Sequence, residues 1–204
     1  MNVGIINYGM GNIASVCNSL ARLGTTPVVL DEPGDINQVD KLILPGVGAF
    51  AAAMANLTEF RWVGPIRDAV LNRKMPLLGI CLGMQLLADE SEEGGITNGL
   101  GLIKGRVTAL RAKDSSLRIP HVGWNSVYPM NDSVLFLSIA SGTDFYFVHS
   151  FAFEPKDTSS TAATTKYGHP FTSAIERGHI FGAQFHPEKS STAGARVIQN
   201  FLEV

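Results

Sequence analysis

The chain has 204 residues, of which 45% are hydrophobic and 17% charged, which is typical of a compact globular protein and excludes a disordered one. A formal net charge of −2 gives no general attraction to nucleic acid or to an anionic membrane. No apolar run is long enough to span a bilayer, and the N-terminus lacks a signal-peptide pattern. The two cysteines, Cys17 and Cys81, form neither a disulfide framework nor a metal-finger spacing. We therefore expect one cytoplasmic domain over residues 1–204, with no metal or other cofactor and no membrane or nucleic-acid partner.

The first half of the chain alternates short apolar runs with helical patterns. Four runs are short and continuously apolar, which predicts buried parallel strands over residues 3–6, 27–30, 41–44 and 76–80. Between the first two, apolar residues recur at helical spacing over 13–23, and Gly24 stands at the expected helix C-cap. This helix would place Cys17 on its buried face as packing. The series predicts an open α/β sheet with right-handed crossovers.

The second half is richer in β patterns from about Leu100 onward. Turn residues separate predicted strands over 127–129, 145–153, 171–175 and 180–185, and a closing helix is predicted over 192–202. The predicted fold class is therefore α/β: an open, mostly parallel sheet flanked by helices, with additional mixed or antiparallel strands in the second half.

The fourth predicted strand leads into the pattern Gly79-Ile-Cys81-Leu-Gly83. Ligands of open α/β sheets bind outside the carboxyl ends of the strands, and this pattern matches a nucleophile elbow with cysteine in place of serine. The glycines remove Cβ atoms that would clash in such a sharp turn. A helix over about 82–88 would point its N-terminus at the sulfur and favour the thiolate, and the Leu82 amide could hold an oxyanion. A structural cysteine is the alternative.

A base for this cysteine is suggested by the segment QFHPEKS. His186 and Glu188 stand two apart across Pro187, and in extended backbone such residues project to the same side, so the carboxylate can orient the imidazole. A loop histidine beside a surface glutamate is the plainer interpretation. The loop over 45–48, Pro-Gly-Val-Gly, offers a second oxyanion donor at or next to the Val47 amide, although an ordinary strand–helix turn has the same composition.

A dinucleotide-binding protein is the alternative from another class. Residues 9–14 fit the relaxed pattern G-x-G-x-x-A after a strand, and Asp31 occupies the ribose-binding position. That interpretation leaves the cysteine turn and the His-Pro-Glu segment unexplained.

Taken together, GICLGMQLL and FHPEKS resemble the class I glutamine amidotransferase family. The further motifs NYGMGN, PGVGAF, HVGWN and YFVHS resemble the glutaminase members of that family that serve histidine biosynthesis, with Phe151 where a tyrosine commonly follows YFVHS. The resemblance implies that Cys81 attacks the side-chain amide of L-glutamine and forms a glutamyl thioester with release of ammonia. It implies that His186 carries the proton and Glu188 orients the His186 ring.

The resemblance also implies a binding site and a partner. Glutamine would be recognised by six residues: Gly46, Gln85, Glu93, His149, Ser150 and Phe151. Ammonia would pass through a tunnel to a separate barrel-shaped cyclase, with which the chain forms a heterodimer. Interface or gating residues would be His121, Trp124, Asn125, Tyr146 and Lys189. Solvated positions for Gln85 and Glu93, and core packing for Trp124, are the plainer interpretations.

Family behaviour further implies weak glutamine hydrolysis until the cyclase site is occupied, and we expect the glycines of the loop 45–48 to allow a peptide flip that acts as the switch. Subunits of other synthases, which serve tryptophan, purine or pyridoxal phosphate synthesis, share the cysteine turn and the His-Pro-Glu segment and remain alternatives.

Overall fold

The computed structural model describes residues 1–111, 117–130 and 133–204. Within them the strands are β1 (Val3–Ile6), β2 (Pro27–Leu30), β3 (Lys41–Gly46), β4 (Leu77–Cys81), β5 (Glu90–Ser91), β6 (Thr97–Asn98), β7 (Gly105–Ala109), β8 (His121–Pro129), β9 (Thr143–His149), β10 (Phe151–Pro155), β11 (Thr161–Tyr167), β12 (His169–Arg177) and β13 (Ile180–Ala183). The α-helices there are α1 (Ile13–Arg22), α2 (Phe50–Glu59), α3 (Val63–Arg67), α4 (Leu82–Gln85) and α5 (Ser191–Leu202).

The main sheet joins a parallel half to an antiparallel half. Its nine strands run in the order β2-β1-β3-β4-β13-β12-β11-β8-β9. The strands from β2 to β13 are parallel neighbours, whereas β12, β11, β8 and β9 follow as antiparallel neighbours. A smaller sheet has the order β10-β7-β5-β6. The predicted fold class is confirmed, including the antiparallel strands of the second half.

The predicted elements of the first half agree closely with the structure, and those of the second half agree less well. The bounds of β1 and β2 are as predicted, and β3 continues two residues further, to Gly46. The predicted strand over 145–153 is wrong as one element, because the chain leaves β9 at His149 and enters β10 of the smaller sheet at Phe151. The smaller sheet was not predicted as a separate unit.

Apolar residues pack on both faces of the parallel strands. In β3, Leu42 and Leu44 contact the layer that contains α2 and α3, and Ile43 contacts the layer that contains α1 and α5. Cys17 is half-buried and packs against this second layer, as predicted for a cysteine that serves as a packing residue. Burial on both faces explains why these strands are continuously apolar. None of the helices in the described ranges is long and apolar enough to cross a membrane.

Candidate active site

Cys81 lies on a sharp turn between the last residue of β4 and the first residue of α4. Its φ is +54° and its ψ −111°, a conformation that costs a non-glycine residue about 1–3 kcal/mol. A Cβ atom added at Gly79 would lie 2.6 Å from the carbonyl oxygen of Gly83. A Cβ atom at Gly83 would collide with the carbonyl oxygen of Leu44. The two glycines of the motif are therefore required by backbone contacts, as the sequence predicted for a nucleophile elbow.

The helix after Cys81 is shorter than predicted, ending at Gln85 rather than near Ala88. After Gln85 the amides of Leu87 and Ala88 donate to carbonyls only three residues back, and the carbonyls of residues 86–88 accept from the backbone amides of residues 100–103, so the chain leaves the helix. Leu82 is its first residue, and the first amides of a helix have no acceptor within it. The turn therefore presents amides without an intrahelical acceptor near Cys81, with only one turn of helix to contribute a dipole.

His186 and Glu188 form a buried pair. The Nδ1 of His186 lies 2.8 Å from the Oε1 of Glu188, and both side chains are 2% exposed. The predicted extended backbone is wrong here, because Pro187–Lys189 forms a single 3₁₀ turn that brings the two side chains together. The Nε2 of His186 makes no hydrogen bond to another described residue. It is therefore free to exchange a proton with a neighbouring group.

The electrostatics of His186 favour its protonated form. Burial lowers the pKa of this imidazole, but the neighbouring Cys81 sulfur and the Glu188 carboxylate outweigh burial and raise the pKa to about 9. On the other side of the cysteine turn, burial and the proximity of Cys81 raise the pKa of the Tyr8 phenol, whose hydroxyl is buried without a hydrogen-bond partner among the described residues. Tyr8 therefore remains protonated.

One cavity of about 220 Å³ brings most of the predicted site residues together. Its walls contain Cys81 and His186. They also contain the following predicted binding and oxyanion residues: Val47, Leu82, Gln85, Glu93, His149, Ser150 and Phe151. Gly46 lies behind this wall, buried and in register with Cys81 on the neighbouring strand. A larger cavity, of about 740 Å³, lies between the two sheets and contains none of the predicted site residues.

Gln85 is buried in this wall and is not a solvated helix residue. Its Nε2 donates to the carbonyl oxygen of Phe151 at 2.9 Å and to the Oε1 of Gln184 at 3.0 Å. The Nε2 of Gln184 lies 3.8 Å from the Cys81 sulfur. Gln184 was not predicted, although a glutamine within the apolar strand pattern before His186 was a signal for it. With both amide hydrogens used, Gln85 can offer a ligand only its carbonyl oxygen.

Two other predicted cavity residues have structural partners as well. The Oε2 of Glu93 accepts a hydrogen bond from the amide of Phe50, the first residue of α2, at 2.7 Å. Its carboxylate therefore caps α2 and also lines the cavity. Val47 is 42% exposed at the cavity mouth, followed by Gly48 with a φ of +103°. This loop thus contributes both exposed backbone and a glycine-only conformation.

The predicted interface residues separate into a cluster of Trp124, Tyr146 and Lys189 and a second pair, His121 and Asn125. Trp124 is 55% exposed and packs edge-on against Tyr146, its partner across β8 and β9, while the Nζ of Lys189 lies 6.0 Å from the centre of the Tyr146 ring. In contrast, His121 is 2% exposed and Asn125 is half-buried. The structure therefore does not place these two beside Trp124 as surface anchors.

The dinucleotide alternative finds no support in the structure. The Oδ1 of Asp31 accepts a hydrogen bond from Asn7 at 2.7 Å, so the proposed ribose ligand is engaged by the protein. A Cβ atom at Gly11 would lie 3.0 Å from the Pro45 side chain, so packing against the next loop explains this glycine. No group of three or more His, Cys, Asp or Glu side chains that could hold a metal ion occurs among the described residues.

Comparisons with known proteins find relatives that match almost the whole chain. The family model "Glutamine amidotransferase class-I" matches residues 4–204. The subunit HisH of imidazole glycerol phosphate synthase from Moorella thermoacetica is 50% identical, covering 99% of this chain and 94% of its own. The HisH subunit from Bacillus subtilis is 42% identical, covering 99% and 96%. A solved glutamine amidotransferase shares the fold, with a TM-score of 0.77 at 20% identity over 98% of this chain and 97% of its own.

Proposed function

The chain belongs to the class I glutamine amidotransferase family, and we propose from this premise that Cys81, His186 and Glu188 are its catalytic residues. Its function is that of a glutaminase subunit of an imidazole glycerol phosphate synthase in histidine biosynthesis, hydrolysing L-glutamine to glutamate and ammonia. The observation that carries the proposal is the shared cavity of Cys81 and His186, with Glu188 bonded behind the imidazole. We propose a single cytoplasmic amidotransferase domain, supported by the family match over residues 4–204.

The reaction begins with Cys81 and His186 sharing one proton, which lies on the Nε2 of His186 because the raised pKa of this imidazole favours its protonated form and leaves the sulfur as the nucleophile. The sulfur then attacks the side-chain carbonyl carbon of glutamine, and a tetrahedral oxyanion forms. Protonated His186 gives its proton to the departing nitrogen, which leaves as ammonia, and a glutamyl thioester remains. His186 next takes a proton from water, which attacks the thioester, releases glutamate and restores the thiol. Glu188 holds the imidazole in the required orientation throughout.

Two backbone amides are proposed to stabilise the oxyanion. The Leu82 amide begins α4 and has no acceptor within that helix, and the Val47 amide belongs to the exposed loop on the opposite wall. The Gln85 carbonyl oxygen and the Glu93 carboxylate can accept hydrogen bonds from the α-ammonium group of glutamine. The backbone of His149, Ser150 and Phe151 would close the pocket around the rest of the substrate. With glutamine held in this way, the Cys81 sulfur, the His186 imidazole and both amides would surround its side-chain carbonyl group.

We propose that ammonia passes to a cyclase subunit in a heterodimer. The cyclase incorporates this nitrogen and forms two products, imidazole glycerol phosphate and an aminoimidazole carboxamide ribonucleotide. The curated relatives are subunits of a synthase by name, which supports a partner of this kind. The face formed by exposed Trp124 and Lys189 with half-buried Tyr146 is a suitable docking surface, because tryptophan and tyrosine are enriched among the residues that dominate interface energetics. We further propose that rotation of the peptide after Gly46 turns the loop 45–48 into an active form when the cyclase is occupied.

The decisive experiment measures ammonia release from glutamine for the wild-type chain and for Cys81→Ala. Each is assayed alone, with the cyclase subunit, and with the cyclase plus its nucleotide ligand. We expect strong stimulation of the wild type and loss of at least about a thousandfold in Cys81→Ala, because no nucleophile remains. Cys17→Ala is the matched control, since it removes the other thiol from a half-buried helix position. Activity in Cys81→Ala would contradict the proposed nucleophile, and a wild type inactive in every mixture would contradict the proposed function.

The loop proposal has a separate test in Gly48→Ala. The φ of +103° is one that alanine rarely adopts, so the loop would rest in another conformation. We expect the ratio of the rates with and without the occupied cyclase to fall at least tenfold. Gly34→Ala is the control, because a Cβ atom there would meet open space. An unchanged ratio in Gly48→Ala would contradict a switch in this loop.

A further inference from the structure

A second pair of buried histidines connects β8 to the wall of the active-site cavity. His121 and His149 face each other in register across β8 and β9, and the Nδ1 of His121 lies 2.9 Å from the Nε2 of His149. The Nδ1 of His149 lies 2.8 Å from the carbonyl oxygen of Phe151. Exposure is 2% for His121 and 6% for His149, so neither ring exchanges these partners readily for water. The proton-transfer steps described above use neither ring.

The chemistry of the partners fixes the direction of every hydrogen bond in this chain. The carbonyl oxygen of Phe151 can only accept, so the Nδ1 of His149 must donate. The Nε2 of a neutral His149 ring must then accept from the Nδ1 of His121, and the Nε2 of His121 accepts from the Asn125 amide at 3.2 Å. Burial, the largest cause, lowers the pKa of His121 to about 4 and that of His149 to about 3, so both rings are neutral near pH 7.

Aromatic neighbours hold the first ring in place. His121 is stacked against Phe147 at 4.8 Å and against Tyr167 at 4.0 Å between ring centres. The two stacks are nearly parallel, at 23° and 25°. Rotation of His121 would therefore lose both stacks and the donor to His149. The orientation of the pair is fixed by packing as well as by hydrogen bonding.

The Phe151 carbonyl oxygen connects the histidine pair to the Cys81 sulfur through a series of side-chain contacts. It accepts from Gln85 as well as from His149, and Gln85 continues through Gln184 to within 3.8 Å of the Cys81 sulfur. We propose that His121 and His149 are positioning residues for glutamine, which hold the Phe151 backbone against Gln85 and so keep the pocket in its binding shape. This inference rests on the proposed function of the cavity.

The test compares two substitutions of His121 in the full chain with its cyclase partner. His121→Phe keeps a flat ring between the aromatic neighbours but removes the donor to His149. We expect the KM for glutamine to rise at least tenfold while kcat stays within threefold, because the pocket is altered and the nucleophile is not. His121→Gln returns a donor group and is expected to bring KM back to within threefold of the wild type.

Ser126→Ala is the matched control for the two strands. Ser126 donates to Asp144 across the same β8–β9 pair at 2.7 Å, outside the histidine chain. We expect its KM and kcat to equal those of the wild type. A wild-type KM in His121→Phe, or an equal loss in His121→Gln and His121→Phe, would overturn the inference.

A second measurement needs neither activity nor a substitution that folds. Nitrogen-15 NMR of the histidine rings in the wild-type chain should show both His121 and His149 protonated at Nδ1 alone at pH 7. An Nε2–H tautomer or an imidazolium in either ring would overturn the proposed pair. A wild type without glutaminase activity in any mixture would instead contradict the proposed function, while the NMR result would still decide the state of the pair.

Discussion

The two walls of the active-site cavity are built by different means. The nucleophile wall, formed by the ends of β3 and β4, is held by backbone: Gly79 and Gly83 contact neighbouring carbonyls, and Cys81 adopts a positive φ. The base wall, formed by antiparallel strands and the turn after β13, is held by buried side chains, among them the His186–Glu188 pair. Backbone contacts tolerate no added atom, whereas side-chain contacts depend on protonation. We therefore expect different perturbations to destabilise the two walls.

The largest effect is expected from Gly83→Ala in the nucleophile wall. The new Cβ atom would collide with the Leu44 carbonyl, and backbone cannot move aside as a side chain can. We expect the free energy of unfolding in urea to fall by more than about 3 kcal/mol, or the chain not to fold. Gly64→Ala is the control, because nothing lies within 4 Å of its Cβ position in α3, and it should be neutral or stabilising by up to ~1 kcal/mol. Equal stability of both variants would contradict backbone control of this wall.

Acid should weaken the base wall next most strongly. The folded pKa values of His121 and His149, about 4 and about 3, lie below the ordinary value of 6.5. Their stabilising contribution is therefore fully present above pH 6.5 and is lost progressively as pH falls from 6.5 to 4 for His121 and to 3 for His149, by at most roughly 3 and 5 kcal/mol respectively. Urea denaturation at a series of pH values measures this loss. The loss should be smaller in His121→Gln, and an identical profile would contradict the assignment.

Glu188→Gln tests the catalytic pair at the opposite end of the pH scale. Loss of the carboxylate should lower the pKa of His186 from about 9 and slow glutamine hydrolysis by roughly 100-fold. A raised folded pKa contributes stability that is present below pH 6.5 and is lost as pH rises through 9, so alkaline destabilisation should diminish in the variant. The pH dependence of the rate and of unfolding measures both effects. An unchanged alkaline profile would show that Glu188 does not control the charge of His186.

The smallest effect is expected from Tyr8→Phe in the nucleophile wall. The Tyr8 hydroxyl is buried without a hydrogen-bond partner among the described residues, and removing such a group should raise the free energy of unfolding by ~1 kcal/mol. Tyr128→Phe is the control, because Tyr128 is 49% exposed and its substitution should change stability little. A destabilised Tyr8→Phe would mean that a side-chain hydrogen bond also supports the backbone wall.

The contrast between the two walls also explains which features of the fold and the site could be predicted from the sequence. The parallel strands and the cysteine turn follow from local patterns, namely continuous apolar runs and glycines at fixed offsets around Cys81. The shortened helix after Cys81 could not be predicted, since it depends on amides of residues 100–103 that lie nearby only in the fold. In the base wall, the contact between His186 and Glu188 was predicted on the wrong backbone geometry, because proline there begins a 3₁₀ turn.

The histidine chain had no local signal at all. His121 and His149 meet through the register of β8 and β9, and no periodicity within either strand determines that register. Gln184 likewise gains its partners from α4 and from β4, which precede it by about half the chain. Residues held by long-range side-chain contacts were therefore the ones that sequence patterns assigned wrongly or missed.

The position of β13 has a consequence for the order of events during synthesis. This strand lies in the middle of the main sheet, where Ile180 pairs with Leu77 of β4, although half the chain separates them. A nascent chain that has emerged only as far as Cys81 therefore has an uncovered strand edge and no base for its thiol. Contacts between such distant residues form late, because closing the long loop between them must come first. Under the proposed mechanism, the chain can therefore release ammonia only after the ribosome has delivered β13 and His186.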